Sequence, residues 1–154
     1  MLSVNVTVLG SEGVGKSTFI EGYSQRDLKN SKGEIFSVSV QFTEIGKMST
    51  DDFVLSRIRS ADGCLLLFSL DNLRSMCHVP VWNNYHRTYQ PGAAVVMVGT
   101  HSDLNSSAIQ PFHKQKLMES SQNQYDYVEI SKSSSEPILL LIRKLLDDNS
   151  LQFN

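Results

Sequence analysis

Hydrophobic and polar positions alternate along the chain with two periodicities, one typical of strands and one typical of helices. Residues 4–8 alternate valine with polar residues and predict a first strand that ends at Gly10. The segments 64–70 (CLLLFSL) and 93–99 (AAVVMVG) are almost continuously apolar, as expected for parallel strands covered on both faces. Two further strands are predicted, at 35–45 and 125–130.

The segments between these strands predict helices. They lie near 16–23, from about 51 onward, between 71 and 89, at 111–120 and at 138–146. Pro80 cannot sit comfortably inside a helix, so we expect that helix to kink or to start again there. Ser49 or Thr50 can cap the second helix, and Asp71 can cap the third. Strands alternating with helices from end to end predict an α/β fold, with a mainly parallel sheet flanked by helices.

Composition narrows the class of protein. A chain of 154 residues suits one domain, 1–154, with one core, and 40% hydrophobic with 19% charged residues indicates a globular protein. The net charge of −2 without a basic run argues against nucleic-acid binding. Two cysteines, 13 residues apart, make neither a zinc site nor a disulfide framework, so we expect a reducing, cytoplasmic setting. Neither terminus carries a lipidation motif or a secretory signal, so no lipid anchor is expected.

The segment 10–17 (GSEGVGKS) carries the clearest chemistry because it fits the phosphate-binding pattern GxxxxGK[ST] between a strand and a helix. Its glycines let main-chain N–H groups approach phosphate oxygens, Lys16 reaches the β and γ oxygens, and the Ser17 hydroxyl can ligate Mg²⁺. A chance glycine-rich turn is the alternative, expected in about one in a few hundred chains of this length. Lys16 and Ser17 are the catalytic candidates. The predicted cofactor-binding residues of this segment are Glu12, Gly13, Val14, Gly15, Lys16, Ser17 and Thr18, and Ser17 is the predicted metal ligand.

Several segments resemble the Ras superfamily, and its Rab-type branch in particular. They are 10–18, 61–70, the spacing Ser75…Val79…Trp82, 98–104 and 129–133, in the family's order over nearly the whole chain. Residues 100–103 (THSD) stand where the family usually has NKxD and are closest to the THxD form of Roc domains. The resemblance implies a P-loop small-GTPase fold that binds GTP or GDP together with Mg²⁺.

The resemblance also assigns residues to the guanine base. Asp103 matches the carboxylate that accepts both N–H donors of guanine, and the ring of His101 can stack along the base. Thr100 replaces the usual Asn, so we expect one loop-fixing hydrogen bond to be weakened or lost. Ser131 and Lys132 lie in a variant of the base-contacting SAK loop. The plain alternatives are an exposed loop histidine at 101, a helix or turn cap at 103 and an ordinary polar turn at 131.

The departures from the family fall on the catalytic residues. The segment 43–47 aligns with the family's DTAGQ, and the N–H of Gly46 can contact a γ-phosphate. Thr43 stands in place of the Mg²⁺-associated Asp, and Lys47 in place of the water-orienting Gln. A protonated lysine cannot accept the hydrogen bond that orients water. Lys47 is therefore either a positive charge near the γ-phosphate or a solvated loop residue.

Glu12 is a further departure because it lies in the loop near the expected γ-phosphate. Two negative charges about 5 Å apart repel by roughly 3 kcal/mol at an effective dielectric of about 20. The side chain would disfavour GTP if it pointed inward. Arf-like proteins resemble this chain in carrying an acidic residue there, and we expect Glu12 to point outward.

The stretch between Ser17 and Thr43 is short for the family, which fits a helix, a switch loop and two strands there. We therefore expect a shortened switch I region, one missing edge strand and a nucleotide that is more exposed on that side. Ser31 is the nearest candidate for the switch-I threonine that closes over Mg²⁺.

Two classes of function remain open. The first is a guanine-nucleotide-binding switch or scaffold with weak GTP hydrolysis, and the second is a pseudo-GTPase that serves as an interaction module. A third candidate, a P-loop kinase, has less support because the chain has no arginine-rich lid segment. Protein partners are expected on the switch-like surface formed by 24–34 and 46–52, and the sequence leaves a dimer open. The sequence leaves open whether the protein is an enzyme, and an active protein would be a slow GTPase.

Overall fold

The computed structural model describes residues 2–23, 27–29, 33, 35–104, 108–121, 124–131 and 134–147. Its elements follow in the order β1 (Leu2–Leu9), α1 (Lys16–Glu21), β2 (Asp27–Lys29), β3 (Ile35–Ile45), α2 (Asp52–Arg59), β4 (Gly63–Ser69), α3 (Leu73–Cys77), α4 (Val79–Tyr89), β5 (Ala94–Thr100), α5 (Pro111–Ser120), β6 (Asp126–Glu129) and α6 (Glu136–Asp147). The predicted alternation of strands and helices is confirmed. No helix in these ranges has the length and apolar character needed to cross a membrane.

The described strands form one sheet in the order β2-β3-β1-β4-β5-β6. Strands β3, β1, β4, β5 and β6 run parallel, and β2 runs antiparallel at the edge beside β3. The parallel strands therefore end at the same edge of the sheet, which is where ligands bind in open α/β sheets. The loops that follow β1, β3 and β5 all begin at this edge. The predicted α/β P-loop architecture with a mainly parallel sheet is confirmed.

The expectation of a missing edge strand is wrong. Asp27–Lys29 forms β2 and pairs with residues 35–37 of β3. The strand has three residues, against 11 in β3, and its sequence DLK is too short to show an alternating pattern. Ser31, the candidate switch-I residue, lies outside the described residues.

Pro80 restarts a helix, as predicted. Helix α3 ends at Cys77, His78 follows it, and α4 begins at Val79 with Pro80 in its first turn. Proline is tolerated in the first turn because the N–H groups there have no partner within the helix.

The helix caps lie one or two residues later than predicted. Asp51 caps α2 by accepting a hydrogen bond from the N–H of Phe53, while the hydroxyl of Ser49 accepts from the N–H of Asp51. Asn72 caps α3 by accepting from the N–H of Ser75. Several neighbouring residues had cap-forming side chains, and only the backbone direction at each helix start selects among them.

Helices cover both faces of the sheet, so the central strands are buried on both sides. One face packs against α1 and α6, and its buried residues include Val4, Val6, Val8, Leu65, Leu67, Phe19, Ile138, Leu141 and Ile142. The other face packs against α2 to α5, and its buried residues include Leu9, Leu66, Phe68, Met97, Ile58, Trp82 and Leu117. The segment 10–17, the phosphate loop, thus follows β1, one of the two central strands of the sheet.

Candidate functional site

The segment 10–17 forms a tight loop between β1 and α1. A Cβ atom on Gly10 would lie 2.5 Å from the carbonyl oxygen of Leu67 and 2.9 Å from Val14 Cγ2, so only glycine fits there. Gly13 and Gly15 have φ values of 82° and 94°, which glycine adopts at low cost. The glycines of the motif are therefore required by the shape of this loop.

Lys16 lies inside the loop with only 7% of its surface exposed. Its Nζ donates to the carbonyl oxygens of Gly10 at 2.7 Å and Ser11 at 2.9 Å. An ammonium has three N–H donors, so the described contacts leave one for a ligand. Burial lowers the pKa of Lys16, and the nearby charges of Glu44 and Glu12 oppose that shift.

The other residues of the loop differ in whether their side chains are buried or exposed. Val14 is buried in the core on the α1 face, so only its main chain can reach a ligand. Glu12 is exposed, which agrees with the expected outward direction, although its charge still acts on Lys16. Thr18 is exposed and lines the pocket described below.

Gly46 and Lys47 follow β3 beside the phosphate loop. A Cβ atom on Gly46 would lie 4.0 Å from Lys16 Nζ, so the structure brings the Gly46 main chain next to the loop, as the motif alignment requires. The side chain of Lys47 is exposed.

Ser17 has a partner that the sequence did not reveal. Its Oγ lies 3.0 Å from both carboxylate oxygens of Glu44 and donates its one proton to that carboxylate. Thr43, the aligned position of the family's acid, is half-buried. The strand register was the missing signal, because Glu44 pairs with Val8 at the sheet edge where the loop begins. Within the described residues, no three His, Cys, Asp or Glu side chains form a metal-binding group.

A pocket lies beside the loop, next to residues that were expected to contact the base. It is lined by Gly15, Thr18, Phe19, Thr100, His101, Ile130 and Ser131. The structure therefore brings the phosphate loop together with the ends of two strands that are far away in sequence. Asp103 is exposed in the turn after His101 and does not line this pocket. Lys132 lies outside the described residues.

The hydrogen bond that we expected to be weakened or lost at Thr100 is present. The buried Thr100 hydroxyl lies 2.7 Å from the carbonyl oxygen of Val14 and 3.1 Å from that of Phe68. Threonine is shorter than asparagine, but the end of β5 lies close enough to the loop for the hydroxyl to reach it. Thr100 thus ties the phosphate loop to two neighbouring strands.

His101 is held in an uncommon backbone conformation, with a φ of 61°. Its Nδ1 lies 2.6 Å from Ser69 Oγ, and the Ser69 hydroxyl donates to Asp71 Oδ1. A carboxylate only accepts, so the Ser69 proton points to Asp71 and His101 Nδ1 must be the donor to Ser69. His101 Nε2 lies on the other side of the ring, 3.9 Å from where a Cβ atom on Gly15 would be.

Ser69 and Asp71 were missed as site residues because each reads as an ordinary residue at the end of a strand or the start of a helix. Asp71 was expected to cap α3, but Asn72 does so. Only the fold brings the end of β4 beside His101, so no local pattern indicates this contact.

Comparison with known proteins adds to this geometry. No curated protein sequence matches the chain significantly. The sequence model of the Ras family matches residues 46–149, which is more than half of the chain. The match begins after the phosphate loop, so the motif at 10–17 is evidence independent of the matched segment. The loop and the matched segment belong to the same sheet. The chain belongs to the Ras family.

Proposed function

We propose that the protein binds a guanine nucleotide as a small-GTPase-like switch or scaffold and hydrolyses GTP only weakly. One observation carries the proposal, namely the buried ammonium of Lys16 inside the phosphate loop. Among the described residues no carboxylate lies within 4.0 Å of Lys16 Nζ. A buried charge without a direct counterion is costly, and the phosphates of a nucleotide would supply one.

The pocket lined by Gly15, Thr100 and His101 supports a place for the nucleoside beside those phosphates. The fixed His101 ring offers a flat surface for the base. The proposed groups for selecting guanine are Ser131, which lines the pocket, and Asp103, in the turn after His101. Lys132 is proposed on the resemblance alone. A carboxylate at 103 would favour guanine over adenine because adenine presents an acceptor where guanine presents a donor.

Weak hydrolysis follows from what surrounds the γ-phosphate position. Lys16 neutralises charge on the phosphates, the Ser17 hydroxyl is suited to ligate Mg²⁺, and the Gly46 main chain lies beside Lys16. A bound Mg²⁺ would neutralise further phosphate charge. The exposed Lys47 cannot accept a hydrogen bond from water, so it cannot position the nucleophile as the family's glutamine does. A partner protein would supply that function.

The second candidate is a pseudo-GTPase that binds its nucleotide permanently or not at all. The observation that favours it is the exposed lysine at position 47, where the family has glutamine. The intact loop with its buried Lys16 argues against a complete loss of binding.

We also propose that protein partners bind the switch-like surface formed by 24–34 and 46–52, most of whose first segment lies outside the described residues. The exposed side chains of Met48 and, next to the surface, Phe53, which is 65% exposed, support this. The Rab-like and Roc-like character, a dimer and a reducing cytoplasmic setting remain proposals, the last supported by the free thiol of the exposed Cys77.

Nucleotide analysis tests the proposal directly. We expect the denatured protein to release GDP or GTP at near-equal stoichiometry, or the empty protein to bind added GDP. We expect GTP to compete better than ATP in the wild type, and this preference to shrink in Asp103→Ala but not in Asp126→Ala, an exposed control. An empty protein that ignores every guanine nucleotide would refute the proposal, and equal turnover in wild type and Lys16→Ala would refute hydrolysis.

A further inference from the structure

We propose that Glu44 supplies the carboxylate of the Mg²⁺ site, in place of the acid that is absent at Thr43. This inference rests on the proposed nucleotide binding and adds a residue that the motif alignment assigns to no role. It carries one consequence that a merely structural glutamate would not have, which is an effect on nucleotide affinity that reverses when the metal is removed.

The position of Glu44 follows from the side-chain alternation of β3. Val38, Val40 and Phe42 pack on the α1 face of the sheet, whereas Ile45 packs on the opposite face. Because successive side chains point to opposite faces, Glu44 shares the α1 face with Phe42. Thr43 is directed to the other face. The carboxylate therefore points toward the helix that begins with Lys16 and Ser17.

The contact with Ser17 is suited to a hard divalent cation. Both carboxylate oxygens of Glu44 lie 3.0 Å from Ser17 Oγ. The hydroxyl has one proton, so the carboxylate keeps most of its lone pairs free. Mg²⁺ prefers oxygen ligands, uses one or two protein groups and completes its shell with phosphates and water. Ser17 and Glu44 would be those protein groups, directly or through a bound water.

Electrostatics predicts whether Glu44 raises or lowers nucleotide affinity. The Glu44 carboxylate lies 3.0 Å from the Oγ atom of Ser17, the residue that follows Lys16 in the phosphate loop. A carboxylate so near the phosphate loop repels bound phosphates when no cation lies between them. With a divalent cation in place, the same carboxylate attracts the complex. Glu44 should therefore weaken nucleotide binding in the absence of metal and strengthen it in the presence of metal.

The test measures the affinity of a fluorescent GDP analogue in millimolar Mg²⁺ and in excess EDTA. For wild type we expect Mg²⁺ to tighten binding. For Glu44→Gln we expect that gain to shrink by about tenfold or more, as for other groups that support a metal ligand. In EDTA the variant should bind more tightly than wild type. With Mn²⁺ in place of Mg²⁺, electron paramagnetic resonance of the complex should show weaker metal retention in the variant.

Controls separate the possible roles of Glu44. Glu21→Gln, on the exposed end of α1, should keep the full Mg²⁺ gain, and circular dichroism checks folding. Glu44→Ala provides the same comparison if the glutamine variant does not fold. An unchanged Mg²⁺ gain in the variant, or an equal loss of affinity with and without Mg²⁺, would overturn the inference while leaving nucleotide binding intact. A wild type that binds no GDP under either condition would instead overturn the proposed function.

Discussion

The two sides of the candidate site are built differently. On the base side, Thr100 and His101 are tied by hydrogen bonds to the phosphate loop and to the end of β4. On the switch side, the side chains of Lys47 and Met48 are exposed. The first region is fixed before a ligand arrives, whereas these two side chains of the second region lie in solvent.

This difference separates binding from catalysis. A preorganised site loses little entropy when it binds its ligand, so the base side is suited to tight binding by itself. Catalysis needs groups aimed at the transition state before the reaction begins, and exposed side chains do not provide them. The fold thus supports nucleotide binding more strongly than hydrolysis.

The largest effect is expected when the two lysines are compared. Lys16→Ala removes a buried ammonium that contacts the loop carbonyls, and we expect GDP affinity to fall by about 100-fold or more. Lys47→Ala removes an exposed charge on the switch side and should change affinity by less than about threefold. Isothermal titration calorimetry measures both. Equal losses in the two variants would show that the switch side contributes to binding as much as the loop does.

Both sides of the candidate site are built on the sheet. Acidic pH should lower the stability of the folded protein through protonation of His86. His86 is 2% exposed, and its Nε2 lies 2.7 Å from Thr7 Oγ1. Burial lowers its pKa from 6.5 to about 4, so the unfolded chain binds a proton that the folded chain does not. Stability should therefore fall as the pH drops below 6.5, by about 2 kcal/mol between pH 7 and pH 5 from this residue.

Urea unfolding at several pH values checks that expectation. His86→Gln should show a flatter pH dependence in this window, whatever its absolute stability, whereas His78→Gln, at an exposed position, should keep the wild-type slope. A wild-type slope in His86→Gln would show that other groups cause the acid sensitivity.

On the base side, Thr100→Val keeps the shape of the side chain and removes its hydroxyl. The carbonyl oxygens of Val14 and Phe68 lose their contact with this hydroxyl, so we expect about 1–2 kcal/mol lower stability and weaker GDP binding. Thr88→Val is the matched control because its exposed hydroxyl bonds only within α4, and it should change stability by less than about 0.5 kcal/mol. Unchanged GDP binding in Thr100→Val would mean that this tie does not position the loop.

The sequence predicted most of the fold because long elements carry strong local signals. The apolar run of β4 and the restart at Pro80 are examples in which local physics decides the structure. Strand β2 was missed because three residues, DLK, cannot show a period of two. Its pairing depends on β3, which no pattern within residues 27–29 reveals.

The phosphate loop could be predicted because its residues are contiguous in sequence and because steric constraints require glycine at its turns. The partners Glu44, Ser69 and Asp71 could not, because each becomes meaningful only through strand register or through the meeting of two distant strands. Thr100 shows the limit of motif comparison. A residue that departs from the family's pattern still makes a contact with the loop.

A smaller effect is expected from Ser69→Ala, which removes the hydrogen-bond acceptor of His101 Nδ1. Nitrogen NMR of the imidazole should show the proton on Nδ1 in the wild type and a mixed tautomer population in the variant. GDP affinity should fall by about fivefold as the ring loses its fixed orientation. Ser56→Ala, on the surface of α2, is the control. A wild-type imidazole that carries its proton on Nε2 would refute the deduced hydrogen-bond direction.

The smallest effect is expected from Lys47→Gln, which restores the family's water-orienting side chain. Single-turnover GTP hydrolysis should rise by less than about threefold, because an exposed glutamine without a fixed position cannot hold water in line with the phosphate. Lys47→Ala separates the gain of an amide from the loss of a charge. A rise of tenfold or more in Lys47→Gln alone would show that the switch side is already arranged for catalysis and that one lysine blocks it. The difference between the two sides of the site would then lie in a single side chain, not in how each side is built.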